Sequence, residues 1–431
     1  MLTYVIYSGG IRNAREVLDC GGYAYRIFPV YLTQKDADEV FAFLTKKTER
    51  GELFTDEDFA QLSLTPLMAS CQSKKDTIKK AILFVKQENS NVAEKTLAML
   101  YTLADKFLRG KELEEIKEEK YVRYIEFGEN KEKVSEIIMG LMRISDMTVK
   151  ETAALIDTGL EEGINFLDLA DIYGNGKSEE IVGSVFTENP GLREKVFLQS
   201  KCGIRIDPDF TYFDFSKDYI LEATDKILSR LHTDHLDSLL LHRPDALMEP
   251  EEIAEAFDKL YNAGKVRNFG VSNMTPMMME MLQREVKFPI CANQIQLSCA
   301  VTQVFDAGFH MNMQCEKGIM RDGGGVLEYC RMNKIPVQAW SSLQYGYFQG
   351  VFLGSKKYPE LNAVLDRIAK ENGVTSMAVA LAWILRYPGA TQAVIGTTKA
   401  SRVREAVKAT EFQLSKKEWY EIYLAAGNDL P

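Results

Sequence analysis

Four polar side chains follow the ends of separate apolar segments that are typical of β-strands. Asp168 ends the segment INFLD, and Tyr173 follows it five residues later. Lys201 ends VFLQSK, and His242 ends SLLLH. Side chains at the carboxyl ends of successive strands are predicted to share one pocket. A carboxylate, a phenol, an amine and an imidazole in one pocket suit proton delivery to a carbonyl group.

The chemistry of such a pocket follows from the four groups. Reduction of a carbonyl needs a hydride and a proton, and the hydride must come from a cofactor because no side chain donates one. Tyr173 can supply the proton, and the Lys201 cation would lower the phenol pKa from its usual value of about 10. Asp168 would hold Lys201 in place and keep it charged. His242 would donate a hydrogen bond to the carbonyl oxygen, on which charge grows during the transfer. Each residue alone is more often structural, so the hypothesis depends on all four occurring in order.

Residues 121–431 alternate short apolar segments with amphipathic helices, a pattern that predicts an α/β fold with a parallel sheet. Eight βα units predict a (β/α)8 TIM barrel. An open doubly wound sheet is the alternative, but the first βα turn reads GLMRIS and lacks GxGxxG. A hairpin that turns at GEN is predicted before the first strand. The strands are predicted at 136–140, 164–169, 196–201, 238–242, 268–272, 293–297, 336–340 and 393–396.

The later strands also end in polar or aromatic residues. Ser272 and Asn273 end the fifth strand, Gln294 lies on the sixth, and Trp340 and Ser341 end the seventh. The eighth opens into GTTKASR. The carboxyl-terminal face of the predicted barrel is therefore lined with groups that could bind a ligand.

The chain resembles the aldo-keto reductases over residues 121–431, and within them the bacterial YdhF-like branch. The resemblance implies a catalytic tetrad of Asp168, Tyr173, Lys201 and His242. It further implies hydride transfer from NADPH to an aldehyde, ketone or quinone, with Tyr173 as proton donor. The motifs that carry it are GINFLDLADIYGNGKSEE, LLLHRPD, GKVRNFGVSN, NQIQLS, PVQAWSSL and VIGTTKASRVREA, in that order.

The same resemblance implies a nicotinamide cofactor bound without a Rossmann fold. Ser272, Asn273 and Gln294 would hydrogen-bond the carboxamide. Trp340 would lie flat against the nicotinamide ring, where the family commonly has Tyr. The other residues expected to contact the cofactor are Ser341, Leu343, Gly396, Thr397, Thr398 and Arg402.

The segments after the seventh and eighth strands are where TIM barrels often bind phosphate. The run GTTKASR offers three hydroxyl groups, Lys399 and Arg402 offer charge, and no acidic residue follows before Glu405. An arginine can bind the 2′-phosphate of NADPH with two hydrogen bonds, which favours NADPH and leaves NADH as the alternative. Gly396 stands where many family members have Lys, and Ala406 where many have Asn.

Residues 1–120 read as a separate small α+β or helical domain with two strand-like segments and several amphipathic helices. The charged run at 110–120 is interpreted as a linker or an exposed helix end. The stretch from YRIFPVYLT to LTPLMAS resembles the C-terminal half of Rpn-type PD-(D/E)XK nuclease and transposase proteins. The acidic catalytic residues of that family lie upstream of such a stretch, so none is carried over. An accessory remnant is the favoured interpretation, and a protein-interaction module is the alternative.

The composition of the chain argues against several classes of partner and site. The net charge of −10 argues against a nucleic-acid partner, because phosphate binding needs a basic surface. Seven cysteines without a CxxC pair are typical of reduced thiols in a cytoplasmic protein. The sequence shows no signal-peptide pattern, and no apolar run approaches the roughly 18 residues that span a membrane. His232 and His235 lack an apparent third ligand, so no metal site is predicted.

The substrate cannot be named from the sequence. The long segment 301–324 is expected to shape the substrate pocket. Trp340, Tyr345, Tyr347 and Phe348 predict an aromatic mouth that suits aldehydes, ketones and quinones alike. The intact tetrad favours an enzyme over the alternative, an NADPH-binding regulatory or redox-sensing subunit with little turnover. The oligomeric state is not predicted.

Overall fold

The computed structural model describes residues 3–7, 17–19, 24–50, 52–85, 91–109, 122–309, 324–346 and 349–430. The chain divides into two compact units, Met1–Glu119 and Lys120–Pro431. The charged run at 110–120 lies outside the described residues.

The first unit contains a three-stranded sheet and four helices among its described residues. The strands have the order β1-β3-β2, with β3 parallel to β1 and antiparallel to β2. The sequence predicted β1 and β3 but not β2, whose three residues are too short for a visible alternation. The elements are β1 (Thr3–Tyr7), β2 (Val17–Asp19), β3 (Ala24–Tyr31), α1 (Ala37–Glu49), α2 (Asp56–Leu64), α3 (Lys74–Val85) and α4 (Asn91–Phe107).

Helices α1 and α2 of the first unit begin at recognisable caps, and all four helices contribute buried apolar side chains. The Asp36 carboxylate accepts the backbone N–H of Asp38 at the start of α1. Thr55 and Asp58 form a capping box at the start of α2. The buried side chains contributed by the four helices and their connections include Phe41, Leu44, Leu62, Ile78, Ile82 and Leu100.

The second unit opens with the predicted antiparallel hairpin, formed by β4 (Tyr124–Phe127) and β5 (Glu132–Ser135). Its turn begins at Gly128, whose positive φ of 69° suits glycine. Phe127 packs against Phe166 and Phe197, with ring centroids 5.5 and 5.1 Å away. The hairpin therefore closes the amino-terminal end of the barrel.

Eight parallel strands form a closed barrel in the order β11-β12-β13-β14-β15-β6-β7-β8. The TIM-barrel prediction is confirmed, and the open sheet is excluded. The observed strand ends differ from the predicted ones by a few residues at most. The strands are β6 (Ile137–Gly140), β7 (Phe166–Asp168), β8 (Phe197–Cys202), β11 (Leu236–Leu241), β12 (Val266–Ser272), β13 (Ile290–Gln296), β14 (Val337–Trp340) and β15 (Thr391–Ile395).

A short additional hairpin, β9 (Ile204–Ile206) with β10 (Thr211–Phe213), follows β8 and was not predicted. Helices surround the barrel and bury apolar side chains against its outer face. None of the described helices is long and apolar enough to cross a membrane. The helices of this unit are α5 (Val149–Glu161), α6 (Lys177–Glu188), α7 (Lys217–Leu231), α8 (Pro250–Asn262), α9 (Pro276–Glu285), α10 (Gln303–Phe309), α11 (Val326–Met332), α12 (Pro359–Asn372), α13 (Ser376–Leu385), α14 (Ala400–Val407) and α15 (Lys416–Ala425).

Candidate active site

Asp168 and Lys201 form a buried ion pair at the carboxyl end of the barrel. The Lys201 Nζ lies 2.6 Å from Asp168 Oδ1, and the two side chains are 0% and 2% exposed. The ammonium group also donates to the Leu169 carbonyl at 2.6 Å and to the Tyr173 hydroxyl at 3.3 Å. Three acceptors therefore fix the position of one cation.

Tyr173 is held in a tight turn after β7. Its backbone N–H donates to the Ala170 carbonyl at 3.0 Å. The next three residues, Gly174, Asn175 and Gly176, have φ values of 57°, 55° and 87°. A Cβ at Gly174 would lie 2.7 Å from the Cβ of Ser145, so the sequence YGNG is needed for this turn.

His242 follows β11 directly, and its backbone N–H donates to the Cys202 carbonyl at 2.9 Å. Its ring centroid lies 6.0 Å from that of Tyr173, with the ring planes at 78°. Within the described residues, the buried Nδ1 has no hydrogen-bond partner. Burial, aided by the cations of Lys201 and Arg243, holds the pKa of His242 well below its usual value of 6.5. A neutral imidazole can donate one hydrogen bond to a substrate oxygen.

The charge states of the amine and the phenol depend on their burial. Burial lowers the pKa of Lys201, but Asp168 and Tyr173 more than offset it, so the pKa is raised and the amine stays cationic. Burial raises the pKa of Tyr173, and the opposing effect of Lys201 is smaller. Lys201 thus acts in the predicted direction, but the net shift of the phenol pKa is opposite to the prediction. The reason is the loss of water around the phenolate. Tyr173 consequently keeps its proton.

The residues predicted to bind the nicotinamide lie together around the ends of β12, β13 and β14. The Trp340 indole donates to Asn273 Oδ1 at 3.0 Å, and Asn273 Nδ2 donates to Ser272 Oγ at 2.7 Å. The Ser272 hydroxyl donates to the Gln294 backbone carbonyl at 2.9 Å. The guanidinium of Arg243 lies 5.2 Å from the centre of the Trp340 ring.

The amide of Gln294 joins this group to the tetrad. Its Nε2 donates to Asp168 Oδ1 at 3.3 Å and to Gln338 Oε1 at 3.0 Å. The Gln199 amide nitrogen also donates to Asp168 Oδ1, at 2.7 Å. Sequence reasoning missed Gln199 and Gln338. Gln199 lies two residues before Lys201 and Gln338 two before Trp340, a spacing that predicts the same face of the strand.

The residues predicted to bind phosphate lie after β15, at the start of α14. Gly396, Thr398 and Arg402 are exposed, and Thr397 is half-buried. The Thr397 hydroxyl accepts the backbone N–H of Lys399 at 3.1 Å. The first backbone N–H groups of a helix have no acceptor within it, so this end favours an anion.

The loop after β14 contains the other two predicted cofactor contacts. Ser341 has a φ of 52°, and its hydroxyl donates to Gln344 Oε1 at 2.9 Å. Leu343 packs against the core of the barrel. The ring of Tyr345 packs against that of Tyr358 at a tilt of 44°, with ring centroids 5.4 Å apart. Tyr347, Phe348 and most of the long segment predicted to shape the pocket, 310–323, lie outside the described residues.

His232 and His235 lie in the turn before β11, at the opposite end of that strand from His242. Their Nδ1 atoms lie 3.0 Å from the Thr187 hydroxyl and 2.6 Å from Asp234 Oδ1. The part of the chain that the structure describes contains no group of three side chains that could hold a metal ion.

Comparison with known proteins gives a consistent result. The family model described as "Aldo/keto reductase family" matches residues 136–425. The chain belongs to this family. It is 34% identical over 312 residues to 6-dehydroglucose reductase of Agrobacterium fabrum, which covers 70% of this chain and 97% of that protein. It is 33% identical over 305 residues to oxidoreductase YdhF of Escherichia coli, covering 69% and 95%.

Solved aldo-keto reductases have the same fold. A Klebsiella pneumoniae enzyme in complex with NADP and acetate is 26% identical, with a TM-score of 0.54, covering 69% of this chain and 93% of that one. A thermostable aldo-keto reductase with the inhibitor epalrestat is 27% identical, with a TM-score of 0.57, covering 70% and 99%. The predicted family and oxidoreductase class are confirmed. The resemblance of residues 1–120 to Rpn-type proteins is not borne out.

Proposed function

We propose that the barrel uses NADPH to reduce the carbonyl group of a small aldehyde or ketone to an alcohol, or a quinone to a hydroquinone, and that Tyr173 donates the proton. The observation that carries this proposal is the buried relay at the barrel mouth. The Tyr173 hydroxyl lies 3.3 Å from Lys201 Nζ, which pairs with Asp168 at 2.6 Å. Such a relay is suited to leaving a phenolate beside a fixed cation after the proton has moved.

The side chains fit a nicotinamide. Both N–H bonds of the Gln294 amide are directed at other side chains, so its Oε1 is the atom that can accept from a carboxamide. Asn273 Nδ2 donates one hydrogen bond to Ser272 and keeps a second N–H for the carboxamide oxygen. Trp340 is oriented by its bond to Asn273, so its ring has a fixed plane on which a flat group could lie.

The donor set at the start of α14 fits the phosphates of NADPH. Lys399 and Arg402 are exposed, and the neighbouring threonines supply hydroxyl groups. NADPH and NADP are named for the solved Klebsiella relatives, which supports the same cofactor in this chain. When bound, NADPH supplies the hydride.

The chain's own groups supply the rest of the reaction. Neutral His242 would donate a hydrogen bond to the carbonyl oxygen and orient it toward Tyr173. As the carbonyl carbon accepts the hydride, the oxygen takes the phenolic proton of Tyr173. The cation of Lys201, held by Asp168, then stabilises the phenolate.

Replacement of Tyr173 by Phe tests the proposal, because it keeps the ring and removes the proton. We expect turnover to fall at least about a hundredfold, the usual scale for loss of a general acid, with NADPH affinity retained. The measurement is NADPH oxidation with a panel of aldehydes, ketones and quinones that includes 6-dehydroglucose, together with NADPH affinity by fluorescence. Turnover near the wild-type rate would exclude Tyr173 as the donor. A wild-type chain that binds NADPH and reduces none of the panel would instead favour the regulatory subunit.

A further inference from the structure

We infer that Gln199 is a positioning residue that orients Asp168 through a ladder of buried amides inside the barrel. This inference rests on the proposed function and extends it to Gln199, Gln338 and Gln392, none of which is proposed to contact substrate or cofactor. The ladder consists of Gln199, Gln294, Gln338 and Gln392, whose side chains are between 0% and 3% exposed.

Direct hydrogen bonds connect the four amides to each other and to Asp168. Nε2 of Gln199 donates to Asp168 Oδ1 at 2.7 Å and to Gln338 Oε1 at 2.9 Å. Nε2 of Gln294 donates to the same two oxygens at 3.3 and 3.0 Å. Nε2 of Gln338 donates to Gln392 Oε1 at 3.1 Å and to Gln199 Oε1 at 3.3 Å.

The order of donors and acceptors along the ladder is set at the end farthest from Asp168. There a backbone carbonyl, which can only accept a hydrogen bond, faces the last amide. The Ser135 carbonyl accepts Nε2 of Gln392 at 2.9 Å. Gln392 must therefore present its oxygen to Gln338, which in turn presents its own oxygen to Gln199. Each amide then has one consistent orientation, and the ladder ends with N–H groups directed at Asp168.

A ladder with this direction fixes the orientation of the Asp168 side chain. Hydrogen bonds donated to a carboxylate are strong and directional, so they fix its orientation. Asp168, fixed in this way, holds Lys201 beside Tyr173 and helps to raise the pKa of Lys201, so the amine stays cationic. The Ser238 hydroxyl, which donates to Gln199 Oε1 at 3.0 Å, leaves the amide nitrogen of Gln199 to face Asp168.

Packing alone does not explain four amides in this place. TIM-barrel interiors are filled mainly by branched apolar side chains, and a buried amide is costly unless all its hydrogen bonds are made. The ladder spans the interior from the floor hairpin at Ser135 to the tetrad at Asp168. A role in orienting the Asp168 carboxylate explains why the ladder is made of amides and why it reaches from Ser135 to Asp168.

The first test compares Gln199→Met with Gln392→Met. Both changes remove a buried amide of the ladder and keep a similar length, but only Gln199 touches Asp168. We expect kcat for NADPH-dependent carbonyl reduction to fall about tenfold in Gln199→Met, on the scale of one hydrogen bond to a charged group. In Gln392→Met it should stay within about threefold of wild type, because Gln392 does not touch Asp168 and the Ser238 hydroxyl still fixes the orientation of the Gln199 amide. NADPH affinity by fluorescence should change less than about threefold in both, because neither side chain is proposed to contact the cofactor.

The second test is the isosteric change Gln199→Glu, followed across pH. A protonated carboxyl at this position can donate to Asp168 as the amide does, whereas an ionised one repels it. The ratio of variant to wild-type kcat should therefore fall as the pH rises. This change keeps the volume of the side chain and remains informative if Gln199→Met does not fold.

Different experimental outcomes would reject this inference and the proposed function. A wild-type chain without carbonyl reductase activity would remove the proposed function, and the inference with it. With an active wild type, an unchanged kcat in Gln199→Met would overturn the inference alone. Equal losses in Gln199→Met and Gln392→Met, or a pH-independent ratio for Gln199→Glu, would likewise show that the ladder serves folding only.

Discussion

Asp171 is a half-buried residue two positions before Tyr173, and the proposed reaction does not use it. Its Oδ2 accepts the Tyr219 hydroxyl at 3.3 Å, while the buried Oδ1 has no hydrogen-bond partner among the described residues. Burial, aided by the nearby charge of Glu179, raises the pKa of Asp171 to about 7. A carboxylate here is therefore costly to the folded state near neutral pH.

Replacement of Asp171 by Asn should change how stability depends on pH. The folded pKa lies above the ordinary value of 3.8, so this group stabilises the fold at low pH, and that contribution is lost as the pH rises through about 7. Asn cannot ionise and can still accept the Tyr219 hydroxyl. We expect the variant to have a higher Tm than wild type at about pH 8, with the difference shrinking or reversing at about pH 5. The exposed Asp207 gives a control, since Asp207→Asn should show no such crossover. An equal difference in Tm at both pH values would contradict the prediction.

The tetrad positions could be predicted at the residue scale because each follows an apolar strand, and the structure places Asp168, Lys201 and Tyr173 within hydrogen-bond contact. The net pKa shift of Tyr173 could not be predicted. Its direction depends on how much water the surrounding chain removes, and no spacing in the sequence reports that. The charge partner of Tyr173 was predictable, but the desolvation that outweighs it was not.

At the scale of elements, the barrel strands were predictable because their apolar segments recur between amphipathic helices. The glutamine ladder was missed although its signal is present. Gln199 and Gln338 sit at alternate positions from Lys201 and Trp340, so the period of a strand places them on the inner face. A polar residue in an apolar strand is easily taken for one that faces solvent, and only closure of the barrel shows that this face is interior.

Arg402, at the start of α14, is predicted to determine the preference for NADPH over NADH. Arg402→Ala should weaken NADPH binding by about 1.5–3 kcal/mol, the scale of a hydrogen bond to a charged group, and leave NADH binding little changed. Arg404 offers a matched control on the same helix. Its side chain pairs with Glu162 at 3.2 Å, so Arg404→Ala should not discriminate between the cofactors. The measurement is the dissociation constant of NADPH and of NADH for each of the two variants and for the wild type. Equal losses for NADPH and NADH in Arg402→Ala would mean that this arginine does not bind the 2′-phosphate.

At the scale of the whole molecule, the described residues form three clusters of buried apolar side chains, one in the first unit and two in the second. In the first unit the buried cluster runs from Leu32 to Leu108. In the second, the main cluster runs from Val122 to Tyr423 and lies between the barrel and its helices. All residues proposed for chemistry belong to the second unit, and the family model begins at residue 136. A unit with its own core and its own site is expected to fold alone.

A truncated chain that starts at Lys120 should therefore be soluble, bind NADPH and reduce carbonyl substrates within a factor of about three of the full chain. It keeps the hairpin of β4 and β5, whose Phe127 closes the barrel floor against Phe166 and Phe197. A second truncation that starts at Ile137 removes this hairpin and leaves those two phenylalanines uncovered. It should lose solubility or thermal stability, because a large apolar surface is then exposed. The comparison needs soluble yield, Tm, NADPH affinity and steady-state rates for the three chains. If the chain from Lys120 were as insoluble as the chain from Ile137, residues 1–119 would be part of the folding unit of the reductase, and their interpretation as an accessory domain would be wrong.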